Sequence, residues 1–373
     1  MQYTPNGALA LAGLLLTAVS FYCNKDATPG VSSTPGDDSV FGIRTPFWSK
    51  DGSKIIGLGH IFGRDGDSFF EIDSGGGVAR ELSNDTLQKD SPSLSPDGKM
   101  IAYLAAEVGR IFSHAHVWVM RTDGTNARDL TPSGGNWGNV RWSPDSRFLI
   151  FDGGVEDSGA VNYQIAKADV QTGELRMLTR SSGYGIRDAS YLSSGERIAF
   201  SSGRIQTDYG GKVWLMNVDG SDLVPLDTTP TASNTVRVSP IRNEIYFAWG
   251  LGGETDAGVY ALDLDATKLP AEPSSFHYLY PGDYFNLAQW SPDGEYLLFP
   301  KGNPYSDLYL LSRDGSGMRR LTTGLAVHLF SYAWSPDSQR LVFMASDDGN
   351  RTVHLFTFDL NTNSLRRLVI TRK

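Results

Sequence analysis

One short motif occurs seven times along the chain, and few folds accept a repeat of that length. Each copy joins a Trp-Ser-Pro-Asp-Gly-like turn to an apolar run, as in WSPDSRFLIF from Trp142 and WSPDGEYLLF from Trp290. Successive copies of the Asp position lie 46, 48, 49, 47, 52 and 44 residues apart. This period is typical of one four-stranded propeller blade. The sequence therefore predicts an all-β fold, a seven-bladed β-propeller of four-stranded antiparallel blades.

The sixth copy shows how one blade divides into strands. Strands A to D are predicted at 287–290, 295–299, 308–312 and 318–322, with Ser-Pro-Asp-Gly between A and B. Pro and Gly supply the backbone angles that such a tight turn needs. In the fourth and fifth copies Ser194 and Ile241 replace the Asp. Six blades plus a ring-closing strand is therefore the alternative, in which residues 39–43 would add an outer strand to the last blade.

Large aromatic residues recur at two positions of the repeat. Since aromatic rings fill large gaps between packed layers, we predict that they lie between neighbouring blades and bind no ligand. They are Trp48, Trp142, Trp290 and Trp334 at one position, and Tyr103, Phe151, Phe200, Phe247, Phe299 and Phe343 at the other.

The N-terminal region has the pattern of an export signal. Residues 8–21 are apolar and too few to cross a bilayer comfortably, as in the core of a signal peptide. Two processing routes stay open: cleavage after the small residues 18–20, or lipid attachment at Cys23, although Tyr22 departs from the bacterial lipoprotein pattern. We thus expect a leader at 1–22, a flexible Pro-, Gly- and Ser-rich tether at 23–40 and the propeller at 41–373.

Charge and cysteine content exclude some functions. The net charge is −9 and no Lys/Arg cluster is present, so we expect no nucleic-acid binding. Cys23 is the only cysteine, which rules out an intrachain disulfide and a cysteine-based metal site. We expect an exported protein, periplasmic or an outer-membrane lipoprotein of a Gram-negative bacterium, anchored to the membrane if Cys23 is lipidated.

The repeated WSPDG, DG and RLT elements resemble the WD-like repeats of the TolB-type β-propeller family. Only about forty residues precede the repeats, so the N-terminal α/β domain of TolB is not expected. The resemblance extends to the propellers of prolyl-oligopeptidase-type proteases, but no hydrolase segment with a Gly-x-Ser-x-Gly elbow follows the last blade, and we expect no such peptidase activity. Oligogalacturonate lyases of this family hold a metal through several histidines, and this chain does not reproduce that histidine pattern.

Strand alternation places the dissimilar B–C and D–A loops together on one face, which is where binding sites usually lie on a rigid scaffold. Residues four before each Trp position form a predicted ring at the channel mouth, and further polar and aromatic residues lie on the same loops. The predicted binding residues are Arg44, Asp90, Trp137, Arg187, Asp188, Asn234, Asp283, Tyr284, Asn286 and His328.

The chemistry of this face favours binding over catalysis. His114 and His116 are weak candidates for a metal site because they lie two residues apart, but the sequence shows no third ligand. We predict no cofactor and no catalytic residue. The sequence predicts a non-enzymatic propeller that binds a protein or glycan of the cell envelope through this face. A carbohydrate-binding or lyase-like propeller is the alternative.

Overall fold

Seven four-stranded antiparallel sheets make up the protein in the computed structural model, which confirms the predicted fold. The structure describes residues 43–61, 63–111, 114–157, 160–179, 181–182, 184–204, 212–226, 236–249, 258–281, 288–302, 306–346 and 353–372. The predicted leader, the tether and Cys23 lie outside these residues. Among the described residues, no helix has the length and apolarity needed to cross a membrane.

The first four blades each follow the chain from an inner strand outward. Their strands are β1 Ile43–Trp48, β2 Lys54–Gly59, β3 Ser68–Asp73 and β4 Gly77–Glu81 (blade 1); β5 Gln88–Leu94, β6 Met100–Ala106, β7 His116–Arg121 and β8 Arg128–Asp129 (blade 2); β9 Asn136–Trp142, β10 Phe148–Asp157, β11 Ala160–Asp169 and β12 Leu175–Met177, with β13 Ser181–Ser182 beside β11 (blade 3); β14 Tyr184–Tyr191, β15 Arg197–Arg204, β16 Lys212–Asn217 and β17 Val224–Pro225 (blade 4).

The last three blades repeat this order, and a short 3₁₀ helix, Pro273–Ser275, precedes the outer strand of blade 5. Their strands are β18 Val236–Val238, β19 Glu244–Trp249, β20 Gly258–Asp263 and β21 His277–Pro281 (blade 5); β22 Gln289–Trp290, β23 Tyr296–Lys301, β24 Asp307–Ser312 and β25 Met318–Arg320 (blade 6); β26 Ala326–Trp334, β27 Arg340–Ser346, β28 Val353–Asp359 and β29 Ser364–Arg367 (blade 7); a final strand, β30, is Ile370–Arg372.

The C-terminal strand joins blade 7 to blade 1. Strand β30 pairs in parallel with β4, the outer strand of blade 1, and the Gly77 N–H donates to the Val369 carbonyl at 2.9 Å. Ile43, which the six-blade alternative placed in an outer strand of blade 7, instead begins the inner strand of blade 1. Residues 39–42 lie outside the described residues. That alternative is therefore wrong for Ile43, because its side chain is buried between blades 7 and 1.

The Ser-Pro-Asp-Gly segment is a hydrogen-bonded turn between strands A and B. In blade 3 the Ser143 hydroxyl donates to the Asp145 carboxylate and accepts the Phe148 N–H at 2.8 Å. Gly98, in the equivalent turn of blade 2, has a φ of 78°, and a Cβ there would lie 2.4 Å from the Lys50 Cβ of blade 1. The turn thus needs its Gly both for its backbone angle and for close contact between blades.

Each of seven hydrophobic clusters lies between two neighbouring blades. Alternate side chains of one strand serve both sides: on β27, Leu341 and Phe343 face blade 6, whereas Val342 and Met344 face blade 1. Every repeat aromatic predicted to be structural contacts one of these clusters. The core of the propeller therefore lies between its blades, with a channel enclosed by the inner strands.

The connection between β10 and β11 in blade 3, one of the predicted variable B–C loops, is largely strand. Strands β10 and β11 pair without a break from Phe148 and Asp169 out to Asp157 and Ala160. The residues that looked like a variable loop therefore lengthen a hairpin on the face that carries the other B–C connections.

Candidate functional site at the channel mouth

A β-bulge interrupts the inner strand at the same position in blades 1 to 4, and β26 of blade 7 has a longer irregularity there. Pairing with the second strand is regular to Arg44 in blade 1 and Arg187 in blade 4, and resumes at Phe47 and Ser190. The residues just inside each bulge have left-handed backbones: Thr45 (φ 47°), Ser91 (φ 49°), Asn139 (φ 46°) and Asp188 (φ 55°). Such angles are uncommon for residues other than glycine, and bulges redirect side chains. In blades 1 to 4 the fold therefore places one residue with a left-handed backbone beside the bulge.

In blades 1 and 2, the residues beside the bulge belong to a network of ion pairs and hydrogen bonds. A guanidinium nitrogen of Arg44 lies 2.7 Å from an Asp67 carboxylate oxygen and also donates to the Lys89 carbonyl at 3.1 Å. The Lys89 side chain is 0% exposed, and its ammonium donates to Asp85 and to the Asp67 carbonyl, each at 2.5 Å. Burial lowers the pKa of Lys89. Burial also raises the pKa of Asp90, and the positive charge of Arg44 opposes this rise. Arg44 therefore fixes the contact between two blades, in addition to lying at the predicted level of the ring.

Blades 4 and 5 are joined through the other predicted pair. Arg187 is exposed, whereas Asp188 is half-buried and its carboxylate lies 3.5 Å from the guanidinium of Arg237. The same guanidinium donates to the Ala288 carbonyl at 2.8 Å, just before the inner strand of blade 6. Arg237 thus links inner strands of three consecutive blades.

The remaining predicted residues are in different surroundings. Trp137 is only 3% exposed and packs on Phe151 in the cluster between blades 2 and 3, so its ring is not available at the mouth. His328 is half-buried on β26, and burial lowers its pKa. Asn234, Asp283, Tyr284 and Asn286 lie outside the described residues.

The two weak candidates for metal ligands, His114 and His116, lie in different surroundings. The His116 imidazole donates a hydrogen bond through Nδ1 to the Asp129 carboxylate at 2.8 Å across β7 and β8, while His114 precedes the strand. Among the described residues, no three metal-ligating side chains are grouped closely enough to hold one ion. The part of the chain that the structure describes therefore supplies this pair with no further ligand.

Three residues of the channel were not among the predicted site residues: Asp152, Arg141 and Arg237. Asp152 lies on β10 opposite the bulge of β9 and is 5% exposed. It accepts bonds from the Asn139 amide at 2.9 Å and from the Ala189 N–H of blade 4 at 3.3 Å. The sequence gives little reason to assign these residues to a site, because an Asp after an apolar run and an Arg before a Trp are common in surface turns.

Asp152 is a buried titratable group of this site. Burial raises its pKa to about 7, the Asn139 hydrogen bond opposes that rise, and the nearby Asp188 carboxylate adds to it. The guanidinium of Arg141, on the neighbouring inner strand, favours the charged form. The charge of the channel mouth therefore changes near neutral pH.

With this geometry, the chain can be compared with known proteins. No family model matches it, and no curated protein matches it. Among solved structures it is similar to a prolyl endopeptidase, with 13% identity and a TM-score of 0.68 over 88% of this chain and 49% of the other. An oligogalacturonate lyase from Vibrio parahaemolyticus matches with 15% identity and a TM-score of 0.63 over 87% of this chain and 92% of the lyase. A putative TolB from Agrobacterium tumefaciens matches with 20% identity and a TM-score of 0.46 over 68% and 87%.

These similarities show the propeller fold alone, because all the identities are low. The chain spans about half the length of the prolyl endopeptidase it matches. The predicted resemblance to propellers of this group is thus confirmed at the level of the fold.

Proposed function

We propose that this protein is a non-catalytic binding propeller, which takes a protein or another cell-envelope component at the channel mouth. The observation that carries the proposal is the repeated bulge with a left-handed, non-glycine residue in four inner strands. Backbone angles of this kind cost free energy and persist where the surrounding structure fixes them, often at binding sites. Here they direct Asn139 and Asp188 into one charged group that spans several blades.

The chemistry of the mouth supports binding more than hydrolysis or elimination. Several of its described arginines and aspartates are held by ion pairs and hydrogen bonds, some of which join neighbouring blades. A fixed, partly desolvated set of charges favours recognition of a complementary ligand. Among the described residues the carbohydrate alternative lacks a comparable observation, since Trp137, an aromatic residue predicted at the mouth, is buried.

The binding proposal predicts that Arg187 contributes to affinity. Peptides selected from a displayed library on the purified chain should bind Arg187→Glu about tenfold or more weakly, because a reversed charge at the mouth repels an acidic ligand and removes donors. Fluorescence anisotropy with the selected peptides measures the change. Lys99→Glu, whose side chain is 80% exposed on an A–B turn of the opposite face, is the matched control and should bind normally.

Failure to enrich any peptide would contradict the proposal, as would equal affinities of wild type and Arg187→Glu. A glycan array run in parallel tests the alternative: binding of glycans in the absence of peptide binding would favour a carbohydrate-binding propeller.

We also propose that the protein is exported and anchored through a lipid on Cys23. The apolar segment 8–21, the adjacent cysteine and the polar residues after it support this proposal. Expressed in a Gram-negative host, the wild type should partition with membranes and its mature N-terminal peptide should carry a diacylglyceryl mass on Cys23. Cys23→Ser should be soluble after export. A mature wild-type N-terminus before Cys23 without added mass would contradict lipidation while leaving export intact.

A further inference from the structure

One residue of each inner strand lies at a common level beside the channel. These residues directly precede the Trp position and pair with equivalent residues of the second strand, as Arg141 does with Ile150 and Arg237 with Tyr246. On β9 the two flanking residues, Val140 and Trp142, are buried between blades 2 and 3, so Arg141 lies on the other face of the sheet, toward blade 4, where its side chain is exposed at the inner edge of the blade. The seven residues are Phe47, Ser93, Arg141, Ser190, Arg237, Gln289 and Ala333.

This ring is positively charged. It contains two arginines, no carboxylate, and three neutral side chains that can donate hydrogen bonds, Ser93, Ser190 and Gln289. The two arginines are close enough that the charge of Arg237, together with desolvation, lowers the pKa of Arg141. The carboxylates of Asp188 and Asp152 oppose this effect on the pKa of Arg141.

The two arginines differ in how their charge is compensated. Arg237 forms the ion pair with Asp188 and a hydrogen bond to the Ala288 carbonyl. Arg141 is exposed to the channel, and its Nη1 donates to the carbonyl of the adjacent Val140 at 3.1 Å. Among the described residues, no carboxylate forms an ion pair with Arg141. Its guanidinium therefore presents donors to the channel in the planar geometry that matches a carboxylate.

We propose that Arg141, with Arg237 beside it, forms a carboxylate-binding subsite inside the channel, which takes an Asp or Glu side chain of a peptide ligand. This inference rests on the proposed function, because the ligand must enter through the mouth. The ring favours a peptide over an acidic sugar. Phe47 is its one aromatic member, and it packs against the cluster between blades 1 and 2 and so offers little surface for sugar stacking.

The test uses small probes that differ in a single charge. N-acetyl-aspartate N-methylamide and its asparagine counterpart are titrated at millimolar concentration into the labelled protein, and the Nε–Hε resonance of Arg141 is followed by NMR. Arg141→Gln identifies this resonance. The aspartate probe should shift it saturably and the asparagine probe should not. In Arg141→Gln the remaining probe-induced shifts should indicate affinity reduced about tenfold or more, since a charge-assisted pair is lost.

Arg176→Gln, at an exposed position of the outer strand β12, is the matched control and should bind the aspartate probe as the wild type does. Equal shifts with sulfate would overturn carboxylate selectivity. Saturation by galacturonate, without any effect of the aspartate probe, would replace the peptide with an acidic glycan. If selected peptides depend on Arg187 but not on Arg141, the subsite is wrong and the proposed function stands. If no peptide is selected, the proposed function fails whatever the small probes do.

Discussion

Replacing Phe343 by alanine is expected to lower the free energy of unfolding by about 3–5 kcal/mol. Phe343 is fully buried between blades 6 and 7, and its ring stacks on Phe356 with centroids 5.8 Å apart. Truncation leaves a cavity among leucines of blade 6, and the rigid β-strands around it cannot collapse to fill the space. Urea denaturation followed by intrinsic fluorescence measures the loss.

Leu365→Ala is the control for this prediction. Leu365 lies on β29, the outer strand of the same blade, and is 45% exposed, so its truncation should change stability by about 0.5 kcal/mol or less. A Phe343→Ala variant as stable as Leu365→Ala would contradict the assignment of the repeat aromatics to the inter-blade core. Binding of mouth ligands by the folded fraction should be unaffected in both variants, because neither residue lies at the channel.

The blades could be predicted from the sequence because each is a local unit with its own repeated turn. The strands predicted in the sixth copy agree with β22 to β25 within a few residues. Ring closure could not be predicted in this way. It depends on contact between the first and last blades, which are far apart in the sequence. The contacting residues, Gly77 and Val369, belong to no repeated motif.

The candidate site was predictable in its level but not in its contacts. Counting back from the Trp position placed Arg44, Asp90 and Arg187 at the bulges, since the repeat keeps strand register. The pairs that create the charged group join different blades: Asp152 meets Ala189, 37 residues away, and Arg237 meets Asp188. Their approach is set by how the blades pack around the channel, which no local pattern encodes. Trp137 was predicted to bind ligand because it lies near a loop, but its side chain is part of the core.

Asp152 should make the stability of the protein fall as the pH rises from about 5 to 7. Burial raises its folded-state pKa to about 7, above the ordinary value of 3.8 that applies in the unfolded chain. Between these values the folded protein holds a proton that the unfolded chain has released, so raising the pH favours unfolding. At about 1.4 kcal/mol per pH unit, the loss between pH 5 and 8 is about 3 kcal/mol, and little more is lost above pH 7.

Asp152→Asn removes this titration and keeps an oxygen that can accept from Asn139 and the Ala189 N–H. Unfolding free energies of wild type and variant, measured by urea denaturation at half-unit steps from pH 5 to 8, should diverge by about 3 kcal/mol in favour of the variant. Taking the difference cancels the other carboxyl groups. Asp65→Asn, at an exposed carboxyl, should run parallel to the wild type. Parallel curves for wild type and Asp152→Asn would mean that water in the channel solvates Asp152 and that its proton plays no part in the charge of the mouth.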